Sequence, residues 1–133
     1  MKRIYIAIFF IMLSVLIGLF SLSETEKICN EMINELENAT KENIAVTEDN
    51  SHQKRVNFYK TTTTIRSLWE KNSDIFYFFF NNDDIKTLET NIEKLPEHAK
   101  NGDLESAYLC LIECLEELEY IKNSTKLNLN NIF

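Results

Sequence analysis

Glycine and proline are almost absent from this chain, which has two glycines and one proline among its 133 residues. Tight turns between short strands depend on these two residues, so the composition argues against a β-sandwich or a β-barrel. Long helices tolerate their absence well. The sequence therefore predicts an all-α fold.

Histidine is also scarce, and the residue patterns that carry catalysis are missing. The two histidines are His52 and His98, and Leu95 occupies the position where a Glu-x-x-His metal motif would need its glutamate. The chain has no glycine-rich phosphate loop, no nucleophile elbow and no Ser/His/Asp set. We expect a protein that is not an enzyme, with no catalytic residue, no metal site and no cofactor.

Positive charge is the third deficit, because 14 lysines and arginines face 21 aspartates and glutamates, for a formal net charge of −7. Nucleic acids are polyanions that bind basic surfaces, so we expect no nucleic-acid partner. All 21 acidic residues lie at or beyond Glu24. The chain thus divides into an acid-free N-terminal stretch and an acidic remainder.

The N-terminal stretch contains a run without charge from Ile4 to Leu22, preceded by Lys2 and Arg3. As a helix this run spans roughly 28 Å, close to the thickness of a bilayer core. Cations before the run orient it with the N-terminus in the cytoplasm. We predict a single-pass protein of the cell membrane, with an anchor in residues 1–23, membrane contact through residues 4–22 and an extracytoplasmic helical bundle in residues 24–133.

Two other interpretations of the run stay open. Ser21 and Ser23 are small residues at the spacing that a signal peptidase needs, so residues 1–23 could be a cleaved signal peptide. The second interpretation is that the run is a buried helix of a soluble protein. The run is longer than a usual signal core, and helical patterning begins directly after it, which favours the uncleaved anchor.

Helical periodicity then continues through most of the chain. We predict one helix that leaves the membrane without a break, a loop near residues 47–53, and a second helix over residues 53–71. A third helix follows with Asp83 or Asp84 as its cap, and a turn at Gly102 and Asp103 leads into a fourth helix. We expect the tail from residue 123 to fold back as an extended segment. These elements predict a small antiparallel bundle of about four helices.

Cysteines and acidic residues add two weaker patterns. Cys110 and Cys114 lie one helical turn apart, a poor geometry for a disulfide, so Cys29, Cys110 and Cys114 are interpreted as small buried residues, with a bridge from Cys29 to either of the others as the alternative. The fourth helix also carries a run of acidic residues. It predicts a solvated face, or alternatively a surface for a basic partner or loosely held cations; its members are Glu113, Glu116, Glu117 and Glu119.

The stretch "IFYFFF", residues 75–80, is the largest concentration of apolar side chains outside the N-terminal run. A lone strand would have nothing to pair with, so we favour a helix. Six successive positions on a helix cannot all face inward, and exposed aromatic residues are typical of contact surfaces. The stretch is therefore core alone, or core plus a contact surface for a partner protein, a second copy of the chain or the outer membrane leaflet. The candidate contact residues are Trp69, Phe76, Tyr77, Phe78, Phe79 and Phe80.

Three features together resemble a bacterial family, the domain of unknown function numbered 4363. They are Trp69 followed by the aromatic stretch, the segment from "DDIKTLETNIEKLPEHAKNGD" to "LEYI", and the ending "LNLNNIF". The resemblance implies a short envelope protein of spore-forming Gram-positive anaerobes with one hydrophobic N-terminal segment and a helical fold, and it implies no activity. It also suggests a histidine near positions 81 and 82, where this chain has Asn81 and Asn82.

Two functional hypotheses follow. The first is a non-catalytic, membrane-anchored helical interaction or accessory module of the bacterial cell envelope, whose partner is a membrane or envelope protein, with a homo-oligomer left open. The second is a small sensor or ligand-binding bundle, with its site near Trp69 and the aromatic residues 76–80.

Overall fold

The computed structural model describes the backbone of residues 1–132 and the side chains of residues 1–127. Four helices account for nearly all of it: α1 (Lys2–Glu48), α2 (His52–Phe79), α3 (Asn82–Asn101) and α4 (Leu104–Ile132). No strand occurs in the described backbone. The predicted all-α fold is confirmed.

The four helices form a closed antiparallel bundle. Close contacts join α1 to α2, α2 to α3, α3 to α4 and α4 back to α1. Buried residues recur at alternating steps of three and four, which is the spacing that lets helices pack at shallow crossing angles. On α1 this stripe comprises Leu22, Thr25, Cys29, Met32, Leu36, Ala39, Asn43 and Val46.

Helix α1 joins two regions of different character without interruption, as predicted. Every residue from Met1 to Ile17 is exposed, and the buried stripe begins at Leu22. Among the described residues, α1 is the one helix long and apolar enough to cross a membrane, and none of its most apolar 18-residue window is buried. A signal sequence near the N-terminus also satisfies this criterion of length and composition.

Helix α2 is longer than the predicted range of residues 53–71 and includes most of the aromatic stretch, whose helical state is thus confirmed. Its buried face carries Phe58, Thr62, Ile65, Trp69 and Phe76. Because Phe76 lies two full helical turns beyond Trp69 on the same face, the core continues to hold the chain helical there. The helix ends at Phe79, and Phe80 is extended.

The cap of α3 differs from the prediction, which placed it at Asp83 or Asp84. Asn81 is the cap, and its side-chain oxygen accepts a hydrogen bond from the Asp83 backbone N–H at 2.9 Å. The helix begins early because Phe80 and Asn81 alone make the connection from α2. Asp83 and Asp84 instead lie in the first turn, where carboxylates interact favourably with the helix dipole.

The turn between α3 and α4 is formed as predicted. Gly102 has φ 72° and ψ 15°, a left-handed conformation that glycine adopts without steric cost. The side chain of Asp103 accepts a hydrogen bond from the Ser106 backbone N–H at 3.2 Å, which caps α4.

The prediction of an extended tail is wrong, because α4 continues as helix to Ile132. Thr125 explains the extension, since it is fully buried on the same face as Leu118 and Ile121 and keeps the three-four spacing. Its hydroxyl donates to the Ile121 carbonyl oxygen at 2.9 Å, so burial leaves no unsatisfied donor. The apolar side chains of the tail at Leu129, Ile132 and Phe133 lie outside the described side chains.

Candidate functional site

Two of the six candidate contact residues are part of the core. Trp69 and Phe76 are 1 % and 0 % exposed, and their rings lie 5.2 Å apart between centroids. The Trp69 indole N–H donates to a Glu89 carboxylate oxygen at 3.0 Å, which satisfies its one polar atom. Both side chains stabilise the bundle and present no surface to a partner.

Tyr77 lies between the core and the surface. Its ring is half-buried and packs against the core residues. Burial raises the pKa of the Tyr77 phenol, and the nearby Glu89 and Glu93 carboxylates raise it further. A tyrosine phenol is already protonated at neutral pH, and the raised pKa keeps Tyr77 uncharged to still higher pH.

Phe78 is the outward-facing member of the stretch, with 81 % of its surface exposed. Its ring makes an edge-to-face contact with Phe79, with centroids 4.9 Å apart and planes at 83°. Phe79 and Phe80 are half-buried, and Phe80 lies 6.4 Å from Phe76. The aromatic stretch thus grades from core at Phe76 to solvent at Phe78.

Phe79 and Phe80 form one wall of a groove that we call the α2–α4 groove. It lies where the connection from α2 to α3 meets the side of α4, and its volume is about 620 Å³. That volume is within the range of small-ligand sites. Its lining combines aromatic and acidic side chains: Phe79, Phe80, Asn81, Asp84, Thr87, Glu116, Glu117, Tyr120, Ile121 and Ser124.

The carboxylates of the groove are crowded. Partial burial raises the pKa of Glu117, and the neighbouring Glu113 and Asp84 carboxylates raise it further. One Glu117 carboxylate oxygen is buried without a hydrogen-bond partner among the described residues. Glu113 is better satisfied, because it accepts a hydrogen bond from the Asn91 side-chain amide at 2.9 Å. A cationic group entering the groove would relieve the repulsion at Glu117.

This crowding predicts that Glu117→Gln stabilises the protein at neutral pH. Because the pKa of Glu117 is higher in the folded chain than in the unfolded one, its ionisation favours unfolding as pH rises through that window. We expect a higher urea midpoint for Glu117→Gln at pH 7, and no difference below pH about 3.5, where the carboxyl is protonated in both states. Urea titrations at both pH values measure this.

Glu119→Gln is the matched control, since Glu119 is exposed on the same helix. It removes the same charge and should leave the midpoint nearly unchanged at pH 7. A gain for Glu117→Gln that is equally large at pH 3 would assign the effect to side-chain packing and contradict the electrostatic explanation.

The three cysteines are buried free thiols, in agreement with their interpretation as small buried residues. Burial raises the pKa of the Cys29 thiol to about 12, against the smaller opposing influence of Lys122, and burial likewise raises the pKa of Cys114. Protonated, enclosed thiols are poor nucleophiles and poor metal ligands. Within residues 1–127 no cluster of three or more histidine, cysteine or acidic side chains has metal-binding geometry.

Sequence reasoning found one wall of the groove and missed the other. The contact residues predicted from the sequence include Phe79 and Phe80 but not Tyr120. For Glu116 and Glu117 the sequence predicts a solvated face, with a surface for a basic partner or loosely held cations as the alternative. A usable signal was present, because Glu116 and Tyr120 are four residues apart and therefore share one helix face. The sequence did not show that this face meets the α2–α3 connection.

Comparison with known proteins gives a family. The sequence model of the family described as "Domain of unknown function (DUF4363)" matches residues 19–132, which covers all of the helical bundle and the end of the apolar run. No curated protein and no solved structure matches the chain. On the extent of that match, the chain belongs to the DUF4363 family.

Proposed function

We propose that this chain is a non-catalytic, membrane-anchored interaction module of the bacterial cell envelope. Residues 4–22 cross the cell membrane with the N-terminus in the cytoplasm, and residues 24–133 form an extracytoplasmic bundle. The bundle binds a membrane or envelope protein through the α2–α4 groove. The anchor serves to keep this groove close to the membrane surface.

The observation that carries the proposal is the change of environment along α1. Its first part exposes a continuous apolar surface, including Phe9, Phe10 and Ile11 at 60 % exposure or more. A soluble protein rarely leaves such a surface in water. About six turns farther along, the same helix is an integral member of the bundle, with Met32 and Leu36 fully buried. A bilayer accounts for the exposed apolar start of α1. Because the helix is unbroken, the membrane also fixes the position of the bundle that its later part belongs to.

The groove suits a partner that presents a basic group on an apolar stem. Phe79, Phe80 and Tyr120 offer aromatic surface, and Glu116 and Glu117 offer negative charge beside it. Lysine and arginine side chains combine an apolar stem with a cationic end and interact with both features. The overall charge of the bundle also favours a basic partner, because residues 24–133 have 12 cationic and 21 acidic residues.

A ligand-binding bundle is the second candidate, and the volume of the groove favours it. A space of about 620 Å³ could hold a small organic cation instead of a protein side chain. The site would lie at Phe79 and Phe80, one aromatic layer away from Trp69, to which it is connected through Phe76.

Site-specific photo-crosslinking in the cell of origin tests the interaction module. A photoreactive phenylalanine analogue replaces Tyr120, which lines the groove and is 67 % exposed. The matched control replaces Tyr108, which is 40 % exposed on the same helix but lies outside the groove. We expect an adduct heavier than the chain from position 120 and little or none from position 108.

The masses of the adducts decide between the outcomes. An adduct of twice the chain mass at position 120 would identify the partner as a second copy. No adduct at position 120, or equal adducts at both positions, would contradict a partner in the groove and leave the small-ligand site as the better account.

A further inference from the structure

The aromatic end of α2 lies level with the outer end of the apolar run. The Thr61 hydroxyl donates to a Glu42 carboxylate oxygen at 3.0 Å, which fixes the register between α1 and α2. Farther down, Glu35 and Leu68 line one cleft and keep the same register. In an antiparallel pair, each residue forward along α2 is matched by one residue backward along α1. The pairs 42 with 61 and 35 with 68 fit this rule, and its continuation places Phe78 opposite Thr25.

Helix α4 gives a second, independent register. At the far end of the bundle the Asn43 side-chain amide donates to the Leu104 carbonyl oxygen at 3.0 Å. Toward the other end, the charge of Lys122 acts on the Cys29 thiol. Extended by the same rise, this register places Leu127 near the level of Leu22, the last residue of the apolar run.

Large apolar side chains are exposed at this one level on both helices. Phe78 is 81 % exposed and Leu127 is 62 % exposed. Thr25 is three residues beyond Leu22, so Phe78 lies about 5 Å above the end of the apolar run. The polar layer on each side of a bilayer core is about 5 to 8 Å thick. Phe78 is thus at the height of the headgroups when residues 4–22 span the core.

We infer that the end of α2 is a second membrane contact, in which Phe78 inserts into the headgroup layer of the outer leaflet. Tryptophan and tyrosine are enriched at this depth in membrane proteins, and phenylalanine is typical of the apolar face of helices that lie in the interface. Asn81 and Asn82 follow the aromatic stretch and are exposed, which suits a layer that contains water and polar groups. The inference rests on the membrane anchor of the proposed function.

Charge selects the kind of lipid. Asp83 and Asp84 follow Phe78 by five and six residues, and their exposed carboxylates repel anionic headgroups. The contact is therefore suited to zwitterionic lipid. With the anchor and Phe78 both in the bilayer, the bundle has two points of attachment, and the α2–α4 groove, which Phe79 lines, is held close to the membrane surface.

Quenching by brominated lipid tests this contact in the full chain, reconstituted in phosphatidylcholine vesicles. Three single variants add a tryptophan at Phe78, at Phe10 in the apolar run, or at Tyr59 near the far end of α2; the wild type, whose one tryptophan is the buried Trp69, supplies the background. Bromines near the headgroup should remove most of the emission that Phe78→Trp adds. Deeper bromines should quench Phe10→Trp, and Tyr59→Trp should match the wild type.

The three positions separate the possible failures. Quenching at residue 10 together with none at residue 78 would overturn the second contact and leave the anchor intact. No quenching at residue 10 would overturn the anchor, and the second contact with it. A blue shift of Phe78→Trp that depends on protein concentration, without lipid quenching, would assign Phe78 to contact between copies and also overturn the inference.

Discussion

Phe76→Ala should lower the free energy of unfolding by about 3 to 5 kcal/mol, whereas Phe78→Ala should change it by less than about 0.5 kcal/mol. The two phenylalanines are two residues apart on one helix, but Phe76 is fully buried and Phe78 is 81 % exposed. Truncating Phe76 removes a ring from the core and leaves a cavity beside Trp69. Truncating Phe78 removes a ring that lies outside the core of the bundle.

The loss expected for Phe76→Ala is a large fraction of the total free energy of unfolding, which is about 5 to 15 kcal/mol for a domain of this size. Urea unfolding of the full chain in mild detergent, followed by far-ultraviolet circular dichroism, measures both variants. The two variants remove the same atoms from the same residue type, so each is the other's control. Equal losses of stability would contradict the assignment of Phe76 to the core and Phe78 to the surface.

The helices and their buried faces follow closely from the sequence. The three-four spacing on α1 and α4 is visible in the residue order, and so is the glycine turn at Gly102, because both depend on interactions within one helix or one turn. The aromatic stretch was harder, since six apolar residues in succession show no period. The stretch is helical because Phe76 extends the buried stripe to which Trp69 belongs.

Two features could not be obtained from local patterns. Asn81 caps α3 instead of Asp83 because only a short connection joins α2 to α3. The length of that connection depends on how the two helices pack against each other. The tail is helical because Thr125 is buried against other helices, although threonine and asparagine have weak helix propensity on their own. In both cases tertiary contacts decide the local structure.

The α2–α4 groove lies beyond sequence reasoning for a related reason. Glu117 and Phe80 are far apart in the chain, and their proximity depends on the rotation of α4 about its own axis. An acidic run on an isolated helix is most simply a solvated face. Only the bundle shows that one end of this run lies against aromatic side chains.

Removal of residues 1–23 should release the bundle from the membrane. Near the middle of a membrane span, each leucine, isoleucine, phenylalanine or valine contributes about 0.3 to 0.6 kcal/mol to insertion, and the run from Ile4 to Leu22 consists mostly of these residues. The truncated chain keeps the buried stripe of α1 from Thr25 onward, so it should fold. Carbonate washing of membranes should extract the truncated chain and leave the full chain in the pellet.

The central claim is that the apolar run is a permanent anchor and not a signal peptide, and the N-terminus of the native protein decides this. The measurement is mass spectrometry of the chain recovered from the membrane fraction of the cell of origin. The account predicts that residues 4–22 are still joined to Glu24. A mature chain that begins at Glu24, after the Ser21-Leu22-Ser23 segment, would contradict it.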